Sequence, residues 1–243
     1  MSRKIPLVSI VMVLATVACS VALPSIGGRT GSGNVIALEQ DVSDFDSLEV
    51  STAFKVTITQ GDVSSVVIHI DDNLQPYLRV EQVGRKVSIG LDTDIGLNFG
   101  NTTLQAEITM PSLASLDLSG ATQATLVDFI VDGSVTLDAS GASKIEGMLQ
   151  AGAVDLTLSG ASSSSLTGSA EALRVDASGA SSADLGGFPA ADVVVVVSGA
   201  SSATVNASGT LEADASGASH VTYLGSPTLR NVSTAGASSV EPE

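Results

Sequence analysis

Apolar and polar residues alternate along most of the chain, and short runs of Ser, Gly and Ala interrupt the alternation at near-constant intervals. A period of two puts successive side chains on opposite faces of a strand, so the pattern predicts half-buried β-strands. From Val35 to Pro111, "SLEVSTAFKVTITQGD" and "SSVVIHIDDNL" carry Val, Ile, Leu and Phe between polar residues, with Gln60, Gly61 and Asp62 as a turn. "RVEQVGRKVSIGLDTD" repeats the device, with Gly84 and Arg85 at the turn. "AEITMPSLASLDLSG" then carries the alternation straight into the first SGA triplet without linker composition. This predicts one continuous domain over residues 34–243, with less regular strands in 34–111 and repeats in 112–243.

The repeat is defined by Gly120, Gly141, Gly160, Gly179, Gly199, Gly217 and Gly236, spaced by 21, 19, 19, 20, 18 and 19 residues. That period suits one coil of a solenoid and is too short for a propeller blade or a helical-pair repeat. Four residues before each glycine stand Leu116, Leu137, Leu156, Val175, Val195, Ala213 and Val232; four after stand Ala124, Ile145, Ser164, Ala183, Ala203, Val221 and Val240. Stacked coils would superpose these residues into a core that no single coil could bury. The small SGAS residues fit a tight corner between two strands, and the serines at 119, 140, 159, 178, 198 and 216 are placed to form a ladder along it. The fold class predicted is all-β, a solenoid with coils of about 19 residues.

Composition agrees and adds an address. Hydrophobic residues make up 44% of the 243 but aromatics only 3%, so the core must be layered from Val, Leu, Ile and Ala. Arg3 and Lys4 precede the apolar run Ile5 to Ala18, which reads as a signal segment over residues 1–19. Cys19, the only cysteine, excludes an intrachain disulfide and stands where bacterial lipoproteins are acylated, although "TVAC" has Thr16 where Leu is usual. Cleavage near this point without acylation, or an uncleaved anchor continuing through Leu23, remain alternatives. Residues 20–33, containing "PSIGGRTGSGN", read as a Gly-rich tether. The net charge is −16, or −16 − 2 = −18 without Arg3 and Lys4, which disfavours nucleic acid as a partner.

The combination of "RTGSGNVIALEQDVSDFDSLEVSTAFKVTITQGD", "DDNLQPYLRVEQVGRKVSIGL", "ITMPSLASLDLSGAT" and the recurrent "SGAS" resembles the bacterial auto-transporter adhesin, head GIN domain family, over about residues 29–240. The resemblance implies a right-handed parallel β-helix in an exported or lipid-anchored protein, and it brings no catalytic residues to carry over.

Candidate chemistry is sparse. Two histidines, His69 and His220, without HExxH or Cys/His spacing give no zinc motif; "GSGN" lacks the third glycine of a dinucleotide fingerprint, and no GxSxG occurs. No cofactor is expected. Asp117, Asp138, Asp176 and Asp214 share one offset in the repeat and should lie along one face, where they could bind calcium, act as paired acid and base, or only protect and solvate the surface. Thr157 and Val196 interrupt the column, the nearest aspartates are about one strand spacing apart (~4.8 Å), and the Gly-Gly-x-Gly-x-Asp calcium repeat is absent. The Ser/Thr column Thr122, Ser143, Ser162, Ser181, Ser201 and Ser219 is expected to face outward as a hydroxyl array.

The reading favoured is an exported, lipid-anchored surface module that binds a surface polysaccharide or an extracellular protein, or acts as a scaffold, without catalysis. It touches membrane only through its N-terminal anchor. A carbohydrate-active β-helix enzyme and an envelope sensor or accessory protein are the alternatives, the former resting on fold analogy alone.

Overall fold

The computed structural model describes residues 29–92 and 101–243; the signal segment, Cys19 and the tether up to residue 28 lie outside the described residues. The first half contains β1 (Val35–Glu39), β2 (Ser47–Val50), β3 (Lys55–Gln60), β4 (Ser65–Asp71), a 3-10 helix (Asp72–Tyr77), β5 (Leu78–Val83), β6 (Lys86–Leu91), β7 (Leu104–Met110) and β8 (Ser115–Leu118). The repeats form β9 (Gln123–Ala139), β10 (Lys144–Leu158), β11 (Ser163–Ala177), β12 (Ser182–Val197), β13 (Ser202–Gly217), β14 (His220–Gly225), β15 (Thr228–Gly236) and β16 (Ser239–Pro242).

Each long strand from β9 to β13 runs from one SGAS corner to the next and bends midway. Its two arms pair in parallel with the matching arms of its neighbours, with Ile145 beside Ser164 and Leu156 beside Val175. The protein is therefore a parallel β-solenoid with coils of the predicted length. One arm of every coil contributes to a first face (β5, β6, β2, β8, the later halves of β9 to β13, and β15). The other contributes to a second face (β1, β4, β7, β3, the earlier halves of β9 to β13, β14 and β16). Between the faces lies one apolar core. Leu116, Leu137, Leu156, Val175, Val195 and Ala213 are at most 2% exposed, as are their counterparts Ala124, Ile145, Ser164, Ala183, Ala203 and Val221. The columns weaken only in the last coil, where Val232 is 44% exposed.

The glycines allow the coils to stack. Gly179 has φ +80, and a Cβ there would lie 2.5 Å from the carbonyl oxygen of Gly160. Across the same contact Ala180 N–H donates to Gly160 O at 2.7 Å, a bond repeated by Ala161, Ala200, Ala218 and Ala237 on the preceding glycines. A side chain would separate backbones that must hydrogen-bond.

The less regular first half is also solenoidal, but out of sequence order. β6 lies parallel to β2, β2 to β8, β7 to β3, and β3 to β9, so the coil built from β6 and β7 lies outside the β2–β3 coil although it follows it in the chain. The turn expected at Gln60 to Asp62 therefore does not make a hairpin: β4 pairs antiparallel with β7 and β1, not with β3. The second expected turn does, since β5 and β6 are antiparallel around Gly84, φ +61.

That end is capped by β1, β5 and the helix, with Leu74 fully buried. It also takes in residues 29–33, read from sequence as tether. Asp71, fully buried, accepts the Gly33 and Thr103 N–H groups, each at 2.7 Å, while Asp72 accepts from Ser32 Oγ and Asn34 Nδ2. A Cβ on Gly31 would overlap the Asp71 carboxylate, so "GSGN" is the clasp that closes over it.

Candidate binding faces

The four aspartates of the repeat do share the first face. Asp117 pairs with Asp138, Asp138 with Thr157, Thr157 with Asp176, Asp176 with Val196, and Val196 with Asp214. Asp117 and Asp214 are exposed, and Asp138 and Asp176 half-buried. Sequence reading missed one member: Glu49 on β2 stands beside Asp117 and extends the column. The signal was present, because "SLEVSTAF" (47–54) matches "SLDLSGAT" (115–122) position for position, but Thr52 replaces the marker glycine.

Glu49, Asp117 and Asp138 are thus carboxylates on three successive strands. Lys86 Nζ, 2.5 Å from Glu49 Oε2, holds that carboxyl below the usual range, helped by Ser88. Asp117 has no such partner close by. Partial burial pushes its carboxyl above the usual range, and the charges of Glu49 and Asp138 on either side push the same way, opposed only by the more distant Lys86. Farther along, Arg174 lies 3.9 Å from Asp176.

The hydroxyl column is the main correction. Ser143, Ser162, Ser181 and Ser201 are 1–2% exposed, Thr122 is fully buried and Ser219 is 2% exposed, so they cannot form an outer array. Their hydroxyls turn inward at the corner. Thr122, Ser143, Ser162, Ser181 and Ser219 donate to the carbonyl three residues earlier at 2.6–2.8 Å, satisfying a backbone oxygen that the corner leaves without a strand partner. The outward column begins one residue later: Gln123, Lys144, Ser163, Ser182, Ser202, His220 and Ser239, continued on the capped side by Lys55 and Gln105.

A groove of about 290 Å³ opens on this second face, lined by Lys55, Thr57, Gln105, Glu107, Gln123, Thr125 and Glu146. Lys144 pairs with Glu146, and His69 Nε2 lies 3.6 Å from Glu107. His220, near the other end of the strand order, pairs with Glu241 at 3.1 Å. The two histidines are therefore not brought together. Among the described residues no group of three or more His, Cys, Asp or Glu side chains is arranged to hold a metal ion, and no helix is long and apolar enough to cross a membrane.

A capped parallel β-solenoid with two long polar faces defines the structural class. The chain belongs to the family described as "Putative auto-transporter adhesin, head GIN domain", whose profile matches residues 44–227. Similar solved structures include a "putative adhesin" from Bacteroides fragilis (TM-score 0.83, 19% identity, 89% of this chain and 100% of that one). Others are a "putative adhesin" from Parabacteroides distasonis (0.68, 19%, 88% and 99%) and a "putative lipid binding protein" from the same species (0.70, 16%, 88% and 99%). At these identities the likeness shows the fold. No curated protein matches the chain in sequence.

Proposed function

We propose that this protein is an exported, lipid-anchored cell-surface module that binds a surface polysaccharide or an extracellular protein without turning it over. The observation that carries the reading is the register of the outward columns. Polar side chains recur on successive strands at about 4.8 Å, over a length that suits a repeating polymer better than a small substrate. The family supports a binding role outside the cell. Arg3, Lys4 and the apolar run to Ala18 support export, and Cys19 is the proposed site of acylation. On the first face, Asp117, Asp138, Asp176 and Asp214 are the proposed contacts; on the second, Ser163, Ser182 and Ser202 take the place of their buried neighbours.

One observation favours a carbohydrate-active enzyme as a second reading. Asp117, its carboxyl raised between two other acids, has the disposition of a general acid beside a carboxylate. One assay separates the two. The chain from residue 20 onward is mixed with bacterial and host polysaccharides and extracellular proteins, and both retention and new reducing ends are recorded. Retention without product is expected; released fragments that vanish in Asp117→Asn would replace the binding reading with the enzymatic one.

A further inference from the structure

The two faces differ from the pattern at one place, where the second face meets the corner of the capped end. There a pocket of about 370 Å³ is lined by Ala53, Lys55, Thr102, Thr103, Gln105 and Gln123 together with Leu104 and Ala121. Its volume falls in the range of small-ligand sites, about 300–1,000 Å³. Lys55 stands in register between Gln105 and Gln123, so an ammonium is flanked on adjacent strands by two amides. Among the described residues no carboxylate lines the pocket, in a protein of net charge −16. Among the described residues Arg79, Arg85, Lys86, Lys144 and Arg174 pair with acids, whereas Lys55 forms no ion pair, as is also the case for Arg29, which lies over the Tyr77 ring, and for Arg230.

A second observation, independent of charge, marks the same place. Among the described residues five non-glycine positions have positive φ, and three of them are Thr52 (φ 67), Ala53 (φ 59) and Ala121 (φ 70). Ala53 and Ala121 line the pocket, and Thr52 adjoins it. Farther along the solenoid glycine takes the strained corner position and the following alanine relaxes. Strain of this kind costs on the order of 1–3 kcal/mol per residue and tends to collect at binding sites.

We propose that this pocket binds a sugar unit bearing a single carboxylate, a uronate, with Lys55 meeting the carboxylate and Gln105, Gln123 and Thr103 meeting ring hydroxyls. Lysine serves as a point charge for such an anion, and amides supply both donors and acceptors for hydroxyls. A densely charged polymer is disfavoured, because the rest of the molecule repels it. The inference rests on the polymer-binding role above and names its ligand.

The test is saturation-transfer NMR on the full chain in detergent, titrated with methyl glucuronide and with methyl glucoside, which differ by carboxylate against hydroxymethyl. The expected result is at least a tenfold preference for the glucuronide, reduced to near parity in Lys55→Gln and retained in Arg230→Gln, which removes an exposed positive charge from β15 on the other face. Equal binding of both sugars, a preference that survives Lys55→Gln, or no transfer to either would overturn it. Polymer retention with no glucuronide preference removes this site and leaves the adhesive role. Glucuronide binding with no polymer retention does the reverse.

Discussion

At the residue scale, a corner serine has two possible fates that differ by one position. Ser162 lies two residues before inward-facing Ser164 and six after Leu156, so a period of two carried through the corner places it inside; the outward expectation rests on the polarity of the hydroxyl and not on the period. The alternation keeps its phase across the left-handed glycine, so that Ser143 and Ser181 fall inward with Ile145 and Ala183; the carbonyl three residues earlier that receives each corner hydroxyl is what the sequence does not show. Thr122, Ser143, Ser162, Ser181 and Ser219 contribute through their carbonyl partners and Ser201 Oγ accepts the Ser181 N–H, whereas Ser164 Oγ is buried without a partner. Replacing it by Ala is expected to stabilise the fold by about 1 kcal/mol, since an orphaned buried hydroxyl costs roughly 1–3 kcal/mol; urea denaturation measures the change. Gly179→Ala should do the opposite and cost about 2 kcal/mol or more, through strain and the lost approach to Gly160. Gly133→Ala, where a Cβ meets nothing within 4 Å, should leave the denaturation midpoint nearly unchanged.

At the element scale, the coils from β9 to β13 were legible because their period and their inward columns repeat, whereas the capped end was not. Order in the chain suggests that consecutive strands β3 and β4 are partners, but β3 is already paired on both edges, with β7 and β9. No local pattern reports a neighbour that arrives 50 residues later (Gln60 beside Met110, 110 − 60). "GSGN" lacked a recognisable motif, and its structural task could be read only with Asp71, whose carboxylate it encloses. Asp71→Ala leaves the Gly33 and Thr103 N–H groups without that acceptor. It is expected to lower stability by about 2–3 kcal/mol. Amide hydrogen exchange should show the loss first in β1, with β10 to β12 still protected; uniform loss of protection would mean the clasp and the coils unfold as one unit.

At the scale of the whole molecule, the excess of acid is unevenly compensated, and at Asp117 partial burial, followed by the charges of Glu49 and Asp138, raises the carboxyl. Its titration is raised in the folded state, so the ionised form is disfavoured by folding at neutral pH and the penalty disappears as pH falls through the raised value. Asp117→Asn should therefore stabilise the protein at pH 7 by a few tenths of a kcal/mol, and the advantage should vanish in acid, below the ordinary aspartate range. Glu49 has the opposite sign: its stabilisation by Lys86 is complete above the ordinary glutamate range and is lost as pH falls through its lowered value. Unfolding followed between pH 3 and 7 separates the two contributions, about where carboxylates titrate. The central claim is that polymer is held on outward columns while the inward serines only build the corner. Retention on the bound polymer is the direct measurement, comparing Ser163→Ala/Ser182→Ala/Ser202→Ala with Ser162→Ala/Ser181→Ala/Ser201→Ala. The account predicts that the outward set loses retention with its denaturation midpoint unchanged, and that the inward set loses stability but retains polymer while folded; the reverse pattern would contradict it.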